Sequence, residues 1–388
     1  MANNIITRRR AAALAASASA TAFLGGSQAR GAQDPIRIGQ VANLTGAAAD
    51  SGRIAANGAK LALDDVNANG GALGRRLELV VEDSQSSNPG AVLAFSRLTS
   101  RGDIVAFLSG TASTQTHALA PDALKAGKPV IMVFATDPNL THMGHPWLLR
   151  CRPNDSYSAR VIAEFGAKDL GKQKWAIVHS TDAFGTAGLK ALTEALDGLG
   201  LKPVLIQGYT NQQADYMPVA LAVKRSDADV LASYNTFDND VALLARQMRQ
   251  TGVTLPWIGS PVIASTSTLR LAGNALFGTY AVADFAADAS PEARAFTERY
   301  ERAYNKPPDF FAATTFDSVR LLARAINAAQ STEPEPVRKA ILSIKGFRGA
   351  EGEYSFDANG DGLHCYNVIK NADGKIAFIR HVEFQEST

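Results

Sequence analysis

The chain has 388 residues, 46% of them apolar, enough for two domains with cores of their own. Its formal charge of +2 includes Arg8, Arg9 and Arg10; without those three it is −1, and no basic stripe of the kind that binds nucleic acid is present. No apolar run is long enough to span a bilayer.

The first 33 residues read as a targeting segment. Thr7-Arg8-Arg9-Arg10 precedes a weakly apolar, Ala-rich run from Ala11 to Gly26, and Ser27-Gln28-Ala29 places small residues at a cleavage site. The adjacent arginines favour the twin-arginine route. The expectation is an exported, soluble, periplasmic protein. In that oxidising compartment Cys151 and Cys365 could pair, or remain two buried free thiols.

From Pro35 onward apolar strand signals alternate with helix signals. Ile36–Val41 is a strand. A helix over Ile54–Asn67 stops at Asn69-Gly70-Gly71. Leu77–Glu82 is a strand, Pro89–Thr99 a helix, Ile104–Leu108 a strand, Thr114–Ala126 a helix and Val130–Phe134 a strand. Arg152-Pro153-Asn154-Asp155 interrupts the rhythm. It resumes with a helix over Tyr157–Leu170, strands at Trp175–His179, Val204–Gln207 and Val230–Tyr234, and helices over Ala187–Leu199, Tyr216–Lys224 and Val241–Gln250. After Gly278 come long helices at Glu292–Tyr304 and Phe311–Ala329, then a shorter one at Val337–Leu342. The tail, Glu353–Phe384, reads as hairpins with turns at Asp357–Gly362 and Asn371–Gly374. Repeated βα units with continuously apolar strands predict α/β architecture, with parallel sheets covered by helices on both faces. There are too many units for one sheet, so two lobes are expected.

Motifs that would mark an enzyme are incomplete. Gly166 to Lys172 resembles a phosphate-binding loop, but Gln173 stands where Ser or Thr must hold magnesium, and a helix precedes the segment instead of following it. It is read as a helix stop. Asp357 to Gly362 resembles the start of a calcium loop, but Val368 occupies the position of the bidentate acid. It is read as a turn. His142 and His145 lie close together with no Cys or carboxylate cluster to complete a metal site. No cofactor, metal or catalytic residue is expected.

In open parallel sheets ligands bind beyond the carboxyl ends of the strands. There Ile104–Leu108 runs into Ser109-Gly110-Thr111-Ala112-Ser113-Thr114-Gln115-Thr116, inside which a helix begins. Hydroxyls and free amides at a helix start suit a carboxylate; the same hydroxyls could instead cap their own helix. Val130–Phe134 similarly delivers Ala135-Thr136-Asp137-Pro138.

The ordered set Leu44-Thr45-Gly46, Asn57-Gly58-Ala59, Asn67-Ala68-Asn69-Gly70-Gly71, Glu82-Asp83, Ser113-Thr114-Gln115, Ala135-Thr136-Asp137-Pro138, Phe184-Gly185 and Ala245-Arg246-Gln247 resembles the leucine/isoleucine/valine-binding proteins. These are type I periplasmic solute-binding proteins of ABC importers. The resemblance implies two Rossmann-like lobes joined by a three-crossing hinge: residues 34–152 with 283–352, and residues 153–282 with 353–388. It implies a monomer that captures a small carboxylate-bearing ligand, first of all a branched-chain or related amino acid, by hinge closure and delivers it to a membrane permease. It places the ligand carboxylate on Ser113 and Thr136 and on the backbone of Thr111 and Phe134. It puts aromatic walls at Phe184 and Phe237, with Asp50 and Ser51 beside the cleft. The family's acid for the ligand ammonium is missing: Ser260-Pro261 stands there. Either Asp50, Asp238 or Asp240 takes that role, because a buried ammonium without counter-charge is costly, or the ligand is an ammonium-free acid such as an aromatic carboxylate. A sensory subunit on the same fold is the further alternative.

Overall fold

A computed structural model describes residues 34–384; the expected targeting segment, residues 1–33, lies outside the described residues. The first sheet holds five parallel strands: β1 (Ile36–Ala42), β2 (Leu77–Asp83), β3 (Ile104–Gly110), β4 (Val130–Met132) and β5 (Leu148–Arg150), in the order β2-β1-β3-β4-β5. The helices between them are α1 (Ala49–Ala68), α2 (Asn88–Thr99), α3 (Ser113–Ala126) and the single turn α4 (Asn139–His142).

The second sheet has seven strands. β6 (Trp175–Ser180), β7 (Pro203–Tyr209), β8 (Val230–Tyr234), β9 (Trp257–Gly259) and β10 (Tyr280–Ala283) are parallel. Their helices are α5 (Asp155–Glu164), α6 (Ala183–Asp197), α7 (Met217–Arg225), α8 (Asp238–Gln250) and α9 (Thr266–Ala272). The chain then returns to the first lobe with α10 (Pro291–Tyr304), α11 (Phe310–Ala329) and α12 (Pro334–Leu342). A two-stranded ribbon, β11 (Phe347–Arg348) and β12 (Glu353–Tyr354), follows. Finally β13 (Cys365–Ala372) and β14 (Lys375–Glu383) extend the second sheet antiparallel from β10, giving the order β14-β13-β10-β9-β8-β6-β7. The chain therefore passes between lobes three times: after β5, after β10 and after β12.

Apolar continuity explains the strands. β6 and β8 are buried at every position because helices cover both faces. The first lobe is tied by α1 and α11, which cross so closely that a Cβ on Gly58 would sit 2.1 Å from the Ala312 carbonyl oxygen. The expected helix stop at Gly166–Lys172 is a π-helical turn (Phe165–Asp169) that ends α5, with Gly171 in the left-handed region at φ +65°. Only glycine fits at 166, because the Trp175 ring lies 2.2 Å from where its Cβ would be.

The turn at Asp357–Gly362 runs beside β5: the Arg150 amide donates to Gly360, and Gly362 donates back to Arg150, at 2.8 and 2.9 Å. The Asp357 carboxylate accepts the amides of Asn359 and Asp361, and Asp361 pairs with buried Arg150. Both acids are thus engaged within the fold. Cys151 and Cys365 are free and buried. No group of His, Cys, Asp and Glu among the described residues could hold a metal ion.

Candidate functional site

Each sheet has one switch point, where consecutive connections leave in opposite directions: between β1 and β3 in the first, between β6 and β8 in the second. Ligand crevices form beyond the strand ends at such points. The two crevices face each other across one cavity. Asn43, Ala48, Ser51, Ala112, Ser113, Phe134, Phe310 and Phe311 line it from the first lobe, Phe184, Thr236, Phe237, Asp238 and Val262 from the second, and Arg152 from the first crossing.

The first lobe brings an anion-binding corner. α3 starts at Ser113 with no side chain capping its N-terminus from the preceding residue, Ala112. Gln115 reaches back to accept the Ala112 amide at 3.0 Å, which holds the turn. Ser113 Oγ accepts the amides of Thr136 and Asp137, each at 3.3 Å. Its own proton is left to donate towards the cavity. Ser113 is therefore fixed by β4's outgoing loop and adds a hydroxyl donor to a helix N-terminus, where negative charge is favoured.

The second lobe brings a carboxylate. Asp238 is the first residue of α8, following Phe237, and is buried. Its Oδ1 accepts the hydroxyls of Ser265 and of Thr268, the latter at 2.9 Å, and its Oδ2 accepts Ser51 at 2.5 Å. Burial raises its pKa, and the bonds from Ser265, Ser51 and Thr268 oppose that rise. No cation pairs with it among the described residues. Between the two poles the wall is aromatic. Phe134 meets Phe311 edge-on at 4.6 Å, Phe310 lies against Phe311 at 4.0 Å, and Phe184 meets Tyr234 at 5.8 Å.

Four contacts join the lobes around this cavity: Ser51 to Asp238, Arg270 to Asp50 at 2.5 Å, Thr266 to Asp309 through both amide (3.0 Å) and hydroxyl (2.9 Å), and the Ala183 amide to Thr114 at 3.0 Å. The lobes are closed on each other. Asp309 caps α11 while accepting Thr266, and burial pushes its pKa up to about 6.

Six of the positions singled out from sequence line the cavity: Ser51, Ser113, Phe134, Phe184, Phe237 and Asp238. Four do not. The Thr136 hydroxyl donates to Asp155 at 2.8 Å, a carboxyl that burial raises to about 6, so it faces the hinge and not the cavity. Thr111, expected to act through its backbone, is not among the lining residues, and its hydroxyl is buried in a cluster with Ser109 and Thr116. Asp50 lies at the rim, bound to Arg53 and Arg270. Asp240 accepts the Gln212 amide at 3.1 Å, away from the cavity. The Phe134 carbonyl is also engaged, by Arg152 at 2.8 Å. Sequence reasoning missed Arg152, Thr236, Val262, Phe310 and Phe311. Arg152 stands in plain view inside the break at residues 152–155; Phe311 is read from sequence only as the start of a helix, and Phe310 falls just before it.

Two α/β lobes closed over a cavity at both switch points define a solute receptor of the hinged kind. The chain belongs to the Periplasmic binding protein family, whose model it matches over residues 35–375. It is similar to the Leu/Ile/Val-binding protein BraC3 of Rhizobium johnstonii, 28% identical over 345 residues, covering 88% of this chain and 93% of that one. Among solved structures it resembles the branched-chain amino acid transporter substrate-binding protein LivJ of Streptococcus pneumoniae in complex with isoleucine, at 25% identity and a TM-score of 0.83 over 90% of this chain and 100% of that one. A solute-binding protein of an ABC transporter from Rhodopseudomonas palustris BisB5, in complex with 3,4-dihydroxybenzoic acid, shares the fold with a TM-score of 0.83 at 19% identity over 90% of this chain and 98% of that one.

Proposed function

We propose that this chain is the periplasmic receptor of an ABC importer and that it captures an amino acid with an apolar side chain. The ligand carboxylate sits on Ser113 and the free amides at the start of α3. The ammonium sits on Asp238 Oδ2, beside Ser51. The side chain fills the wall made by Phe134, Phe184, Phe237, Phe310 and Phe311. The carrying observation is the buried, cation-free carboxylate of Asp238 across the cavity from an anion-binding corner. A zwitterion satisfies both poles. The names of the relatives support the same class, since BraC3 is called a Leu/Ile/Val-binding protein and the pneumococcal structure contains isoleucine.

Residues 34–152 with 283–352 act as one lobe and residues 153–282 with 353–388 as the other, rotating about the three crossings. Ligand favours the closed form through contacts available only when Ser51 and Asp238 approach. A monomer in that form is then the shape recognised by a membrane permease.

A second reading, an aromatic carboxylate without an ammonium, is favoured by the five phenylalanines and by Asp238's three hydroxyl partners, which can satisfy it unaided. Titration separates the two. Leucine, isoleucine, phenylalanine and benzoate are added while the fluorescence of Trp147, Trp175 and Trp257 and the melting temperature are followed. Saturable responses to amino acids but not to benzoate support the first reading. The reverse supports the second, and no response to any of the four rejects both.

A further inference from the structure

Helix α9 was not foreseen from the sequence, and no residue of it lines the cavity. Yet it and its N-cap touch three cleft acids. Ser265, the N-cap, accepts the Thr268 amide at 3.0 Å and donates its proton to Asp238 Oδ1. Thr268 donates its hydroxyl to the same oxygen at 2.9 Å. Thr266 donates to Asp309 and Arg270 to Asp50, both across the lobe boundary. Ser265 and Thr268 are fully buried. With two hydroxyls on Oδ1, the carboxyl group cannot rotate, and Oδ2 stays beside Ser51, a residue of the cavity wall.

We propose that Ser265 and Thr268 are the positioning residues that give this receptor its selectivity for an ammonium group, by holding Asp238 charged and with Oδ2 turned to the ligand. The inference rests on the amino-acid reading above and deepens it. Both hydroxyls donate, and a donor stabilises the ionised carboxylate over the neutral acid. Their place on α9 adds a second consequence. The same short helix carries Thr266 and Arg270, so the element that orients the ammonium site also grips the opposite lobe. Asp238 and closure are thereby mechanically joined.

The test compares leucine with 4-methylpentanoate, the same skeleton without the amine, by calorimetry on the full chain. Thr268→Val keeps the side-chain shape and leaves the helix cap intact, because the cap is made by Ser265. Asp238→Asn removes the charge itself. We expect Thr268→Val to weaken leucine about tenfold, the scale of one hydrogen bond to a charged group, while 4-methylpentanoate changes less than twofold. Thr268→Ser restores leucine binding. Asp238→Asn weakens leucine about a hundredfold or more and spares the analogue. If Thr268→Val lowers both ligands equally, or neither, while Asp238→Asn remains selective, the positioning role is refuted and the amino-acid reading stands. If Asp238→Asn leaves leucine unaffected, or the wild type does not bind leucine, that reading falls and the inference with it.

Discussion

Replacing Arg152 by methionine tests whether the hinge is held by charge. Arg152 lies on the first crossing and Asp284 at the start of the second, and both are buried. The guanidinium makes two bonds to the Asp284 carboxylate, donates to the Phe134 carbonyl at 2.8 Å and lies 4.6 Å from the centre of the Phe310 ring. The pKa of Glu351, on the chain leading to the third crossing, is raised by burial and by the charges of Asp284 and Asp317, with Arg152 acting the other way. One cation thus serves acids on two other hinge strands. Removing it leaves the buried Asp284 carboxyl without its partner, which costs about 3–5 kcal/mol. Native domains have about 5–15 kcal/mol in total, so this single change should remove a large part of the stability. Methionine keeps most of the aliphatic packing, which isolates the electrostatic part. Urea unfolding measures the loss, and Arg152→Met combined with Asp284→Asn measures the coupling. We expect the double variant to recover at least about 2 kcal/mol relative to the sum of the two single changes. A single variant within about 1 kcal/mol of wild type, or strictly additive effects, would refute a charge-locked hinge.

Ser113→Ala should weaken the ligand by about 1.5–3 kcal/mol, the loss of a donor to a carboxylate, read by calorimetry; an unchanged affinity would move the carboxylate elsewhere. Arg270→Ala breaks a largely exposed pair with Asp50, worth about 0.2–1 kcal/mol. It should speed ligand release no more than about fivefold, with the effect fading in high salt, measured by stopped-flow fluorescence. Asp155, Asp309 and Asp317 are buried, and burial raises each to about 6 in the folded chain, above the carboxylate value of 3.8. The folded state therefore holds more protons than the unfolded one between about pH 4 and 6, and stability is lost as pH rises through that window. Melting temperature should be higher near pH 5 than at pH 7, and a steady fall on acidification from 7 would contradict it. The acids held low by their partners, Asp83 and Asp361 among them, lose their contribution only as pH falls below about 4.

The lobes are legible because buried parallel strands are almost continuously apolar, so Val130–Phe134 and Val230–Tyr234 announce themselves without neighbours. Three- and four-residue strands do not: β5 at Leu148–Arg150 ends in an arginine, and β10 at Tyr280–Ala283 has only four residues. The helix starts were placed a few residues late for a physical reason. α1, α6 and α8 each begin in polar or small residues, Ala49-Asp50-Ser51, Ala183-Phe184-Gly185 and Asp238-Asn239-Asp240, because their N-termini face the cleft instead of the core. Those same turns carry much of the site. Apolar periodicity fades where function begins.

Choosing among equivalent polar residues lay beyond the sequence. Ser113 and Thr136 both follow strand ends and both carry a hydroxyl, and Asp238 and Asp240 are two residues apart on one helix turn. What separates them is the partner each meets in three dimensions. Thr136 finds Asp155 across the first crossing, and Asp240 finds the Gln212 amide on the loop before α7. Asp238 meets only hydroxyls, and hydroxyls can stabilise a charge without cancelling it. A carboxylate neutralised by arginine, as Asp361 is by Arg150, has no affinity left for a ligand cation. A carboxylate bound only by serine and threonine hydroxyls has no cation to cancel its charge: burial raises its pKa, and those donors oppose the rise. That difference in partner chemistry, more than the presence of an acid, is why we propose Asp238 and not Asp361 as the ammonium position.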